Sequence, residues 1–118
     1  CGVIARECLA NGFLSGMVRA DTVFPEGSLN ARYSREEVAE RAAYAERLGE
    51  LFAEEGVGGL VEGTYRWILD QGGVSAALSG AKNPAELAAS VRASALPSFS
   101  RALLERTEAG HAKDFGAA

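Results

Sequence analysis

The stretch Thr64-Tyr65-Arg66-Trp67-Ile68-Leu69-Asp70-Gln71-Gly72-Gly73-Val74-Ser75-Ala76-Ala77-Leu78-Ser79-Gly80-Ala81-Lys82-Asn83-Pro84 decides the fold, because its pattern changes from helix to strand and back to helix. The first part closes a helix covering Leu60 to Gln71. Leu60, Thr64, Trp67 and Ile68 fall on one stripe at helical spacing, and Glu62, Arg66 and Asp70 make an i,i+4 charge ladder expected on the outer face. Trp67 reads as a core anchor. Gly72-Gly73 stops the helix. Val74 to Leu78 is then an apolar run of strand length. After the loop Ser79-Gly80-Ala81-Lys82-Asn83, Asn83 is a good N-cap, Pro84 suits the first helical position and Glu86 completes a capping box. Leu87, Val91 and Ala95 give this helix its expected inner face, and Pro97 ends it.

Working outward, Val3-Ile4-Ala5 is a second short apolar run, expected to be a strand buried on both faces. From Met17 to Tyr33 no periodicity is visible, and Asp21, Pro25, Gly27 and Asn30 are turn formers. Ser34 and Glu37 form a capping box that opens a long helix. Val38, Ala42, Ala45, Leu48 and Phe52 lie on its inner stripe, its Glu- and Arg-rich remainder is a solvated face, and Gly56 stops it. A last helix starts at Ser100 with Phe99 placed to staple Leu104. The tail after Gly110, with His111 on its surface, reads as frayed. Strands alternating with helices imply an α/β unit with a parallel sheet and right-handed crossovers. Two strands cannot close a barrel or cover both sheet faces, so the unit is incomplete. The chain opens directly on a strand, which leads to the expectation that an upstream part is absent.

Composition narrows the function. The 118 residues, 47% hydrophobic and 24% charged, are those of an ordinary globular domain. A net charge of −4 and a pI near 5.0 argue against nucleic acid as a partner, since phosphate contacts need a basic face. No apolar run approaches the roughly 18 residues of a membrane span, so no membrane partner is expected. Met17 is the only methionine, and no secretory signal can be read. Cys1 and Cys8 with the single His111 cannot supply four zinc ligands, so no metal site is expected. Cys8 reads as a small buried hydrophobe, and two thiols without a signal suit a reducing cytoplasm.

Three segments together resemble the aldo-keto reductase family. Glu7-Cys8-Leu9-Ala10-Asn11-Gly12-Phe13-Leu14-Ser15-Gly16 is similar to the family's S-P-L-x-x-G-x-L-x-G-K segment after the seventh barrel strand. Thr64 to Val74 resembles its A-L-R-W-x-L-x-Q-x-G-V helix leading into the eighth strand. Leu78-Ser79-Gly80-Ala81-Lys82-Asn83-Pro84-Ala85-Glu86-Leu87 resembles I-P-G-A-x-x-x-x-Q-L, which holds the adenosine end of the cofactor. Order and spacing match across nearly the whole chain. The resemblance implies that residues 1–118 are a partial domain, the last two strand-helix units of a (β/α)8 TIM barrel whose N-terminal half is absent. Such barrels run to about 250 residues. It implies a parent that reduces an aldehyde or ketone with NADPH, NADH being possible. The family's catalytic Asp, Tyr, Lys and His follow earlier strands, so no catalytic residue is assigned: Tyr33, Tyr44 and Tyr65 stand at none of those positions.

What the resemblance transfers is the cofactor side. Leu9, Ala10, Asn11 and Gly12 match the pyrophosphate segment, where small residues let backbone N–H groups approach closely. Gly80 and Lys82 match the segment beside the adenosine ribose, with Lys82 placed for a 2′-phosphate. Glu86 and Ser90 fall where Gln and Asn usually meet adenine. Glu7, Cys8 and Met17 depart from the pattern, Met17 replacing a lysine that reaches the pyrophosphate. Glu86 in place of Gln would favour a ribose 2′-hydroxyl and repel a 2′-phosphate. These residues also have ordinary readings: Glu86 as a capping residue, Lys82 as a solvated cation, Gly12 and Gly16 as turn formers. Phe24, Leu29 and Tyr33 are candidates to line an apolar substrate pocket. Competing functions are a cofactor-sensing regulatory subunit and a half-barrel that assembles with a partner chain. Unpaired strand edges lead to the expectation that the chain alone is fragile.

Overall fold

In a computed structural model, which describes residues 1–112 apart from the side chain of Leu29, the two apolar runs meet as a parallel pair. β1 (Ile4–Ala5) lies beside β2 (Ala76–Ala77), with Ile4 opposite Ala76 and Ala5 opposite Ala77. Both strands are shorter than the sequence predicts. Ser75 N–H to the Val3 carbonyl and Leu78 N–H to the Ala5 carbonyl, each 2.8 Å, extend the ladder at its ends. The expectation that Val3-Ile4-Ala5 is buried on both faces does not hold. Helices cover only one face, so Ala5 and Ala77 are half-buried while Ile4 remains 67% exposed, with Val3 and Leu78 also open.

Helix α1 (Arg35–Glu54) starts where its sequence signal places it. Ser34 Oγ accepts from Glu37 N–H, and the Glu37 carboxylate accepts from Ser34 N–H at 2.9 Å. Val38, Ala42, Ala45 and Phe52 are buried and Leu48 is partly so, as the stripe predicts. Gly56, at φ +86, turns the chain out of the helix. A 3-10 turn (Leu29–Arg32) is the only regular piece of the long loop among the described residues.

Helix α2 (Leu60–Leu69) is central and packs on both sides. Its Tyr65, with Cys8 and the fully buried Ala93, forms a cluster under the sheet that Val61, Ile68, Ala5 and Ala77 flank. On its other side Leu60 and Trp67 pack against Phe52, Val57, Phe99 and Leu103. Trp67 also donates its indole N–H to Thr107 Oγ1 at 2.8 Å. The expected outer charge ladder is corrected here. The Arg66 and Asp70 side chains are only 12% and 3% exposed and pair at 2.9 Å. Arg66 Nη1 donates to the carbonyls of Ser94 and Leu96 at 3.3 and 3.0 Å, closing the end of the next helix, and Asp70 Oδ2 accepts from Phe99 N–H at 2.8 Å. With helices on both sides of α2, Arg66 and Asp70 have no outer face, whereas Glu62 reaches the surface and pairs with the exposed Arg92 at 3.0 Å.

Helix α3 (Pro84–Ala95) keeps its expected start but not its expected inner face. Leu87 and Val91 are exposed, whereas Ala93 is buried and Ala89, Ser90 and Leu96 are half-buried. The close approach of α3 to Tyr65 admits small residues and turns the larger ones outward. Helix α4 (Arg101–Ala112) is capped by Ser100, whose Oγ accepts from Leu103 N–H at 3.1 Å. Phe99 stacks on Phe52 at 5.2 Å, and Leu104 packs against the same cluster, so the staple is in place. Glu55 accepts from Ser100 and Glu54 pairs with Arg106, and both ties join α4 to α1. His111 is exposed, but it lies on α4 and bonds the Tyr44 hydroxyl at 2.6 Å, so the helix continues past Gly110. The remainder of the expected frayed tail lies outside the described residues.

Candidate cofactor site

Because β1 and β2 are parallel, the loops that follow them leave the sheet at the same edge. The first folds tightly on itself. Ala10 N–H donates to the Glu7 carbonyl at 2.9 Å, and the N–H groups of Gly12 and Leu14 both reach the Leu9 carbonyl at 3.0 Å. These turns force Glu7, Ala10, Asn11 and Gly12 to φ values of 54°, 50°, 58° and 93°. A left-handed conformation is natural for glycine and tolerable for asparagine, but in Glu7 and Ala10 it is strain of about 1–2 kcal/mol each. Backbone strain of this kind concentrates at ligand-binding loops.

Of the predicted pyrophosphate residues, Leu9 turns its side chain into the cluster under the sheet, so only its backbone serves the loop. The N–H groups of Ala10 and Gly12 are consumed by the turns. Among the described residues, those of Leu9 and Asn11 have no hydrogen-bond acceptor. The expected array of backbone donors is therefore reduced to these two. Cys8 is buried with its thiol toward the Ala5 carbonyl at 3.5 Å, as its hydrophobic reading predicts, and Met17 lies open to solvent.

The second loop meets the first. Asn11 and Lys82 line one cleft of about 360 Å3 together with Phe24, Pro25, Ser28 and Asn30. Lys82 is the cation among these six residues, and its ammonium has no ion-pair partner among the described residues. Its backbone N–H donates to Glu86 Oε2 at 2.6 Å, while Glu86 N–H donates to Asn83 Oδ1 at 2.9 Å. The capping box thus closes on Lys82 rather than on Asn83, and one Glu86 oxygen is occupied in ordering the loop. Gly80 is exposed on the same loop. Ser90 donates to the Glu86 carbonyl at 3.1 Å, so in its 2.8 Å contact with Ser79 it is Ser79 that donates.

Two residues were missed by the sequence. Ser79 ties the second loop to α3, and its signal was a hydroxyl where the family pattern has proline. Asn30 bridges the two loops, donating from Nδ2 to the Asn11 carbonyl at 2.8 Å. Nothing in the aperiodic stretch marked it beyond turn propensity.

Beside the cleft, Phe13 packs edge-on against Phe24 and Tyr33, with centroids 5.9 and 5.4 Å apart. The Arg41 guanidinium lies over the Tyr33 and Phe13 rings. Arg32 bonds the Tyr33 hydroxyl at 3.0 Å and holds that phenol below its ordinary pKa, with the Arg41 charge acting in the same direction. Phe24 and Tyr33 are thus packed around Phe13, while the Leu29 side chain, the third proposed pocket residue, lies outside the described residues. A larger cleft of about 450 Å3 runs between residues 13–21 and the alanines of α1, and contains none of the predicted site residues. Among the described residues no three His, Cys, Asp or Glu side chains cluster as metal ligands, and no helix is long and apolar enough to cross a membrane.

An α/β unit with two loops meeting beyond the carboxyl ends of parallel strands is the usual setting of a ligand site. The chain belongs to the aldo/keto reductase family, whose model matches residues 1–109. Among the solved structures that match is the glycerol dehydrogenase AKR11B4 from Gluconobacter oxydans, with a TM-score of 0.84 and 25% identity. The match covers 97% of this chain and 35% of that one, so the chain spans about a third of that enzyme's length. No curated protein sequence matches. A helix-rich chain with a small parallel sheet is consistent with part of a TIM barrel.

Proposed function

We propose that residues 1–118 form the last two strand-helix units of an aldo-keto reductase barrel and supply the pyrophosphate and adenosine side of its nicotinamide cofactor site. The observation that carries this reading is the single cleft lined by both Asn11 and Lys82, each named from its own motif. The donors fit an anionic ligand: two backbone N–H groups on a left-handed turn and one ammonium, none of them with a partner among the described residues. When bound, the cofactor supplies the hydride, and these residues hold and orient it. Lys82 faces a 2′-phosphate, Asn11 and Leu9 the pyrophosphate, and Glu86 and Ser90 the adenosine end.

The parent enzyme reduces aldehydes or ketones to alcohols and prefers NADPH, though less strictly than its relatives. Supporting that laxity is Glu86, whose charge opposes the attraction of Lys82 for a 2′-phosphate. Steady-state reduction of simple aldehydes by the natural protein tests this. NADPH-dependent turnover with measurable NADH activity is expected. Absolute dependence on NADPH contradicts the laxity, and cofactor binding without turnover marks a regulatory subunit instead.

A further inference from the structure

The Asn11–Gly12 peptide group is held from both sides. Its carbonyl accepts from Asn30 Nδ2 at 2.8 Å, and its N–H donates to the Leu9 carbonyl at 3.0 Å. A carbonyl can only accept, so the Asn30 amide nitrogen must face it, and Asn30 Oδ1 turns the other way. There it is sealed from solvent and has no hydrogen-bond partner among the described residues. A net hydrogen bond contributes less to stability than an orphaned buried acceptor costs. For folding alone, therefore, Asn30 gains the protein little or nothing.

What the tie does is geometric. Ala10, Asn11 and Gly12 are successive left-handed residues, and the N–H of Asn11 has no acceptor among the described residues. The Ala10–Asn11 peptide that carries this N–H is held through its own carbonyl by Phe13 N–H at 3.3 Å, and with the following peptide pinned as well its direction is set from both ends. Asn11, Asn30 and Lys82 all line the same cleft. Resting on the dinucleotide reading above, we propose that Asn30 is a positioning residue of the site: it holds the Asn11–Gly12 peptide so that the Asn11 N–H is presented to a pyrophosphate oxygen. It acts through the loop and not through the adenosine end.

The test compares two probes on the natural protein and on its Asn30→Ala and Asn30→Asp variants. NADPH carries the pyrophosphate, whereas 2′-AMP carries the 2′-phosphate and adenosine without it. The proposal predicts that Asn30→Ala weakens NADPH binding about tenfold, the loss of one net hydrogen bond to an anion. It predicts unchanged 2′-AMP binding and an unchanged melting temperature. Asn30→Asp keeps the shape but presents an acceptor to a carbonyl, and is expected to weaken NADPH at least as much. NADPH affinity untouched by both variants, equal losses for both probes, or a fall in melting temperature that tracks the fall in affinity would each overturn the proposal. A wild-type protein that binds neither probe overturns the dinucleotide reading and this proposal with it. Wild-type binding that the variants leave intact overturns this proposal alone.

Discussion

Glu86 has one structural role and, in the proposed site, a second. Its carboxylate accepts the Lys82 N–H at 2.6 Å and so orders the loop that presents the lysine side chain. In the proposed site its charge also lies beside that lysine, where it would oppose a 2′-phosphate. Glu86→Gln keeps an oxygen for the Lys82 N–H and removes the charge. The expected outcome is a several-fold rise in NADPH over NADH selectivity, measured as the ratio of kcat/KM values, because a nearby like charge costs about 1 kcal/mol at a solvated site. An unchanged ratio would leave Glu86 as a capping residue only. At this scale the sequence was informative wherever a motif or a cap carried the signal: Asn11 and Lys82 could be named from the family motifs that they resemble, and Glu86 as a cap from its spacing to Asn83. Asn30 could not, because a side chain that bridges two loops across an aperiodic stretch leaves no periodic trace. Gly63 was equally silent. A helical glycine usually gains about 1 kcal/mol on replacement by alanine. Here an added methyl would penetrate the buried Phe52 ring, so Gly63→Ala is expected to lower stability by about 1–3 kcal/mol in a denaturant titration.

Among the elements, α2 explains both the successes and the failures of the sequence reading. Helix starts were legible because caps are local: the Ser34 and Asn83 side chains bond where their spacing predicts. Faces were less legible, because a face depends on what packs against it. Periodicity assigned Arg66 and Asp70 to solvent, yet α2 has neighbours on both sides, and this pair became a buried tie between three helices. Periodicity also turned Leu87 and Val91 inward, whereas the narrow gap to α2 selected Ala93. Arg66→Met would strip the cap from α3 and leave the Asp70 carboxylate buried without its cation. A loss of about 3 kcal/mol of unfolding free energy is expected, as for other broken buried pairs. A loss no larger than that of an exposed pair, under about 1 kcal/mol, would show that the tie is not structural.

Across the whole molecule, α1 and α4 are joined at the surface by Glu54 and Arg106. The hydrogen bond from Arg106 lowers the Glu54 pKa, so the folded state binds that proton less readily than the unfolded chain. The contribution of the tie is therefore present above the unfolded carboxylate pKa and is lost as pH falls through the folded value. Comparing wild type with Glu54→Gln, a small difference in melting temperature is expected at neutral pH. It should vanish in acid and shrink in high salt. A difference that grows in acid would contradict this assignment. Strand order and parallel pairing were legible from the alternation of elements, whereas strand burial was not, since it depends on neighbours that the two strands do not supply. In the proposed function both loops serve one phosphate-bearing ligand. Fluorescence titration of the natural protein with NADPH and NADH, wild type beside Lys82→Met, tests it most directly. Saturable binding of both is expected in the wild type. In Lys82→Met a loss of about tenfold or more is expected for NADPH, the worth of one charge-assisted contact, with little change for NADH. No binding of either dinucleotide, or equal affinity of wild type and variant for NADPH, would contradict it.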